Sequence, residues 1–163
     1  MPHYDRVVSD IHWLNEDQQR QWRAVVTTFS LLPDQLGRDL STNHELSLTD
    51  YEILVRLSES TDHRMRMSEL AAASLSSRSR LSHQVTRLER AGLVAREACK
   101  VDRRGWYAML TDQGYQALVS AAPDHVDSVR RHFVDLLTPE QFAAIAAACE
   151  GVNRHLQRER PEE

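Results

Sequence analysis

The stretch SSRSRLSHQVTRLERAGLV, residues 76–94, sets four arginines and four serines into a segment whose leucines and valines keep a helical beat. Leu81, Val85 and Leu88 recur at i, i+4 and i+7, so they share one face of a helix and predict its buried stripe. At 100° per residue the opposite face collects Ser79, His83, Thr86 and Arg90, flanked by Arg80 and Arg87 on one side and Ser82 on the other. None of these is apolar or acidic. A solvated helix ordinarily mixes in Glu or Asp for i,i+4 pairing, and here only Glu89 does so, towards the buried side.

The whole chain is acidic, which sharpens the contrast. The 163 residues carry a net charge of −4. Between Ser76 and Arg104 stand eight cations (Arg78, Arg80, Arg87, Arg90, Arg96, Lys100, Arg103, Arg104) and three acids, a local net of +5 that leaves −9 on the rest. One basic segment in an acidic chain is the footprint of docking on a polyanion at a single place. Small hydroxyls let the backbone approach closely, and arginine reaches phosphate oxygens or the guanine edge in a major groove. The bland alternative, a merely solvated face, is what most charge runs are.

The surroundings favour the first reading. MSELAAAS (67–74) predicts a short helix led by Ser68, joined almost directly to the basic helix, which Gly92 terminates. Two helices across a tight turn make a helix-turn-helix candidate. After it, LVAREACKVDRRGWYAMLT (93–111) predicts two short strands joined by a tip near residues 99–103, a hairpin wing whose cations Lys100, Arg103 and Arg104 suit a narrow minor groove.

The rest of the chain is helical in pattern. Trp22, Val25, Val26, Phe29, Leu32 and Leu36 predict a long amphipathic helix from Glu16 that ends near Gly37. SLTDYEILVRLSES (47–60) predicts a second, capped by Ser47 or by Thr49 with Glu52. Tyr115, Leu118, Ala122, Val126, Val129, Phe133 and Leu136 predict a third, kinked or broken at Pro123. Thr138 and Pro139 open a fourth, whose seam of Phe142, Ile145, Cys149, Val152 and Leu156 wants a partner helix. Intramolecular packing satisfies the same spacing; the position of these helices at the two chain ends favours an intersubunit bundle.

Other classes find little support. The first residues hold no apolar leader core and no run approaches a membrane span of about 20 apolar residues, so a cytoplasmic protein with no membrane partner is expected. Cys99 and Cys149 lack a CxxC spacing; Cys99 is expected exposed in the wing and Cys149 inert on an apolar stripe. No phosphate loop, G-x-S-x-G or HEXXH motif occurs, and the eight histidines are scattered, so neither catalysis, a cofactor nor a metal is expected. Asp124, His125 and Asp127 read as polar surface or interface residues sooner than as metal ligands.

LAAASLSSRSRLSHQVTRLERAGLV (70–94) followed by DRRGWYAMLTDQG (102–114) resembles the MarR family of bacterial transcriptional regulators, in its actinobacterial form. That resemblance covers nearly the whole chain. It implies a mainly α fold with a small β-hairpin wing: a winged helix-turn-helix flanked by N- and C-terminal dimerisation helices. A single domain over 1–163 then has dimerisation helices at 10–36 and 112–157, a winged helix-turn-helix at 47–111, a recognition helix at 77–91 and a wing at 94–110. The resemblance further implies a homodimer on a palindromic duplex operator and a small-molecule or oxidant signal, and the chain is expected to act as a repressor. His83 and Arg78 depart from the family pattern, where arginine and proline are common, so the base preference is open. The expected contacts with DNA are Ser77, Arg78, Ser79, Arg80, Ser82, His83, Thr86, Arg87 and Arg90 on the helix and Lys100, Arg103 and Arg104 on the wing. Trp13, Trp22, Arg23, His44 and Tyr51 are the candidate residues of a pocket for a small aromatic or phenolic effector. The competing class is a winged-helix interaction module that binds an acidic partner. Such a module would ordinarily show apolar anchors on the exposed helix face, and this face has none.

Overall fold

The structure is a computed structural model that describes residues 11–74, 76–99 and 105–159. Among these residues the chain forms six α-helices and a three-stranded antiparallel sheet. In chain order they are α1 (Glu16–His44), α2 (Leu48–Glu59), β1 (Arg64–Arg66), α3 (Met67–Ala73), α4 (Arg78–Arg90), β2 (Val94–Ala98), β3 (Trp106–Leu110), α5 (Asp112–His132) and α6 (Pro139–Arg158). The fold is therefore mainly α with a small β wing, as the sequence pattern predicts. No helix of the described residues is long and apolar enough to cross a membrane. The described residues fall into two compact units that divide between Asp34 and Gln35.

The larger unit holds the core. Ile53, Leu54 and Leu57 of α2, Leu70 of α3 and Leu81, Val85 and Leu88 of α4 are all at most 2% exposed. Each such side chain contributes about 1.5–3 kcal/mol by leaving water. The expected stripe on the basic helix is thus the face that seats it, which leaves the arginines outside. Val94 and Ala108 extend this core into the sheet.

Strand order is β1-β3-β2. The pair β2 and β3 is the expected wing, with Arg96 opposite Ala108 and Glu97 opposite Tyr107. The third strand, β1, is absent from the sequence reading, because three residues, Arg-Met-Arg, are too few to display a period of two. It pairs Met65 with Ala108 and Arg66 with Tyr107.

Helix ends differ from expectation in instructive ways. α1 continues past Gly37 to His44, because one glycine costs a helix interior only about 1 kcal/mol. The chain leaves the helix at Glu45, in the left-handed region at φ 57°. Ser47, not Thr49, caps α2, and the capping box closes on Asp50 rather than on Glu52. Ser68 does not cap α3; the Glu69 carboxylate accepts the Arg66 amide at 3.3 Å instead. α5 runs unbroken across Pro123, which is exposed. Its buried line is Gly114, Leu118, Ala121 and Ser128, whereas Tyr115 and Val126 of the expected stripe remain exposed. Thr138 caps α6 with Pro139 in the first position, as expected.

The joint behind α4 explains the spacing between Gly92, Thr111 and Gly114 in the sequence. At the end of α4, Gly92 adopts φ 74°, the Gly92 amide bonds the Glu89 carbonyl and the Leu93 amide bonds that of Leu88. This is the six-to-one closure that glycine permits and side-chained residues resist. Thr111 then donates from Oγ1 to the Gly92 carbonyl at 2.7 Å, accepts the Gly114 amide at 2.9 Å and caps α5. A Cβ on Gly114 would lie 2.0 Å from the Leu93 carbonyl oxygen, so only glycine fits there.

Candidate nucleic-acid interface

α4 begins at Ser77, whose Oγ accepts the Arg80 amide at 3.3 Å. With Leu81, Val85 and Leu88 turned into the core, Arg78, Ser79, Arg80, Ser82 and His83 stand exposed on its first two turns. Among the described residues Arg78, Arg80 and Arg90 make no ion pair. Guanidinium side chains of this length, unpaired on an exposed helix face, are suited to an incoming polyanion.

The other expected contacts are placed differently. Arg87 directs Nη2 to both carboxylate oxygens of Asp50 at 2.5 Å and to Ser47 Oγ at 2.9 Å. Asp50 is 3% exposed, and its Oδ2 also accepts from the Ser47 amide and hydroxyl, so Arg87 closes the box that starts α2. Thr86 donates to the Ser82 carbonyl and accepts from Arg96 at 2.9 Å. Arg96, on β2, also reaches the Ser82 carbonyl at 2.7 Å and Glu89 at 3.6 Å. A strand of the wing is thereby pinned to the recognition helix. Lys100, Arg103 and Arg104 lie outside the described residues.

Sequence reasoning passed over part of this surface. Arg66 on β1 and Trp106 on β3 flank the helix beside Arg96, and together with Arg78 and Ser82 they border a cleft of about 510 Å³. Arg64 and Arg66 lie 5.3 and 5.6 Å from the Tyr107 ring centroid, within cation–π range. The two arginines just before α3 carried no periodic signal, since β1 is only three residues long. Cys99 is buried at 6% exposure rather than exposed, within 3.6 Å of Arg66 Nη2. Its place at the end of β2, beneath the guanidinium, removes it from solvent.

Of the residues read as an effector pocket, Trp13, Trp22 and Arg23 belong to the smaller unit and are exposed there, Trp13 at 66% and Trp22 at 58%. His44 and Tyr51 belong to the larger one. Tyr51 is buried with its ring 4.3 Å from that of His125, and burial raises its hydroxyl pKa. His44 Nε2 lies 2.8 Å from Asp124. His125 is half-buried with Nδ1 unpartnered among the described residues, and desolvation lowers its pKa below the ordinary 6.5. Nearby, the Ser128 hydroxyl donating at 2.5 Å holds the Asp39 carboxyl below its usual 3.8, with Gln35 and His132 assisting. Asp124, His125 and Asp127 form no cluster of metal-ligand type among the described residues.

The terminal helices leave their apolar stripes uncovered. α6 buries no residue: Phe142, Ile145, Val152 and Leu156 are 37–56% exposed. In α1, Trp22, Val25, Val26 and Phe29 are likewise exposed.

Known proteins share this arrangement. The sequence profile described as MarR family matches residues 46–105. The crystal structure of AbsC, a MarR family transcriptional regulator from Streptomyces coelicolor, is 48% identical, covers 91% of this chain and all of its own, and superposes with a TM-score of 0.87. Sco3205 from the same organism, a MarR family transcriptional regulator solved in complex with DNA, is 42% identical over 94% of both chains with a TM-score of 0.88. The HTH-type transcriptional regulator PecS of Dickeya dadantii is 29% identical across 91% of this chain and 94% of its own.

Proposed function

Because the chain belongs to the MarR family of transcriptional regulators, which are not enzymes, we propose that it acts as a homodimer that reads a palindromic operator and represses transcription from it. One observation carries the reading: the first two turns of α4 hold Arg78, Ser79, Arg80, Ser82 and His83 out of the core with no acid among them. A helix of about 10–12 Å diameter fits the major groove, where arginine meets guanine bidentately and short hydroxyls donate to or accept from the base edges. Ser77, Arg78, Ser79, Arg80, Ser82, His83 and Arg90 are the contacts assigned to the helix, and Lys100, Arg103 and Arg104 those assigned to the wing. Thr86 and Arg87 serve chiefly to hold the helix in place.

The uncovered stripe of α6 supports the dimer, since a seam of Phe142, Ile145, Val152 and Leu156 left in water forfeits about 25 cal/mol for every Å² that a partner would cover. Two copies related by a two-fold axis present two recognition helices to half-sites one turn, about 34–36 Å, apart or a multiple of it. The reading extends to release by a small aromatic or phenolic effector, supported in residues 1–34 by exposed Trp13 and Trp22, the latter next to Arg23. Such a ligand weakens DNA binding only by favouring a dimer geometry that misaligns the two helices. By reciprocity the operator then weakens effector binding by the same factor.

Selection of bound fragments from random duplex DNA tests the core of the reading. Recovery of a two-fold symmetric motif with that spacing is expected; recovery of asymmetric or unenriched sequences would contradict it. A panel of phenols and aromatic carboxylates, followed by tryptophan fluorescence and operator binding, tests the effector separately.

A further inference from the structure

Beside the first turn of α4 lies the cleft of about 510 Å³, and the charged groups among its described lining residues are all cations. Arg66 from β1, Arg78 from α4 and Arg96 from β2 border it, and among the described residues no carboxylate does. Ser68 of α3 and Ser82 of α4 add hydroxyl groups, and Trp106, half exposed, stands at the side. Three guanidinium groups around an open concavity hold a strongly positive potential where small hydroxyls also leave room for oxygen ligands.

Two of the three cations are held before anything binds. Arg96 is fixed by the Ser82 carbonyl and Thr86 Oγ1, with Glu89 at 3.6 Å, and Arg66 by the Tyr107 ring and Cys99 Sγ. Fixing their planes in advance lowers the ordering cost of a contact with an anion. The cleft also opens beside the exposed Arg78 and Ser82, so a duplex lying along α4 passes over it.

We propose that this cleft seats one phosphodiester of the DNA backbone, with Arg66 and Ser68 as phosphate contacts in addition to the recognition helix. The inference rests on the DNA-binding reading above. A phosphate held here, between the wing base and α3, fixes the register of α4 in the groove without reading a base.

The test uses the full chain and a duplex carrying the selected motif, with affinity followed by fluorescence anisotropy across a salt series. Ser68→Asp places a carboxylate in the cleft, yet Ser68 sits in the first turn of α3, where an acid favours the helix. Its melting temperature should equal that of the wild type while affinity for every duplex falls about tenfold or more. Arg66→Gln should reduce the slope of log affinity against log salt by about 0.9 and leave the base preference unchanged. Wild-type affinity in folded Ser68→Asp, with an unchanged slope in Arg66→Gln, would overturn the assignment. Inorganic phosphate at constant ionic strength is the second arm: displacement of DNA from the wild type but not from Ser68→Asp is the competition expected of a phosphate seat, and equal displacement from both proteins would place the phosphate contact elsewhere and overturn the assignment. If the wild type bound no duplex at all, the functional reading itself would fall, which separates the two failures.

Discussion

The two halves of α4 use the same residue type for different ends. In its first turns Arg78 and Arg80 extend into solvent with no ion pair among the described residues, beside Ser79, Ser82 and His83. In its last turns Arg87 is bound to Asp50 and Ser47, Glu89 engages Arg96, and the helix ends in the closure at Gly92 that Thr111 and Gly114 clamp. The N-terminal half keeps its arginines unpaired among the described residues, and the C-terminal half, Arg90 aside, is bolted to its neighbours. Charge along a helix therefore does not identify a contact surface. What separates reading from positioning is whether a carboxylate already stands within reach.

Substitutions in the bolted half should cost stability, and the largest loss is expected where it joins α5. Gly114→Ala drives a methyl group into the Leu93 carbonyl, which must move, at a cost of about 3 kcal/mol or more. For a chain of this size that lowers the melting temperature by roughly 6–12 °C. A variant that melted with the wild type would mean that the joint is loose and the comparison overstated.

Next comes the ion pair. Arg87→Ala strands the buried carboxylate of Asp50, still bonded to Ser47 but without its cation, at about 1–3 kcal/mol in denaturant unfolding. Adding Asp50→Ala should recover part of that loss, because no charge is then left buried. Strict additivity of the two losses would show that the pair is not coupled.

The open half should behave in the opposite way. Arg80→Ala is expected to change stability by less than about 0.5 kcal/mol while weakening operator binding. A destabilised but fully binding Arg80→Ala protein would reverse the roles assigned to the two halves.

The smallest effect is a pH dependence centred on His125, which packs against Tyr51 of α2. The His125 pKa is lowered in the fold by burial, so the unfolded chain takes up its proton first as pH falls through about 6.5, and stability drops with it. The Asp39 carboxyl acts at lower pH: its folded pKa lies below 3.8, so its contribution is lost only as pH falls through that lower value. His125→Phe keeps a ring against Tyr51 and should flatten the melting profile between pH 5 and 7, an interval set by the ordinary histidine pKa of about 6.5. An unchanged profile would place the titration elsewhere.

Much of this architecture was legible in the sequence because its signals are local. The stripe of Leu81, Val85 and Leu88, the stop at Gly92 and the cap at Thr138 are each written within a few residues. The features that escaped depend on partners distant in sequence. Arg87 looks like a DNA contact until α2 brings Asp50 to it across 37 positions. β1 becomes a strand only because β3 supplies its hydrogen bonds, and Arg66 enters the cleft as a consequence. Cys99 looks exposed on a hairpin, yet pairing places it under a neighbouring arginine. The extension of α1 beyond Gly37 follows the same logic: Asp39 and Leu40 are engaged by the rest of the larger unit, Asp39 by Ser128 and Leu40 by the core, which outweighs a weak local stop.

The division of labour within α4 is tested most directly by the salt dependence of operator binding for two single variants, Arg80→Ala and Arg87→Ala, measured beside the wild type. A lost phosphate contact reduces the slope of log affinity against log salt by about 0.9, whereas a misplaced helix lowers affinity without removing a counterion-releasing contact. The expected result is a reduced slope in Arg80→Ala and a wild-type slope with weaker binding in Arg87→Ala. A reduced slope in Arg87→Ala and an unchanged one in Arg80→Ala would contradict the account.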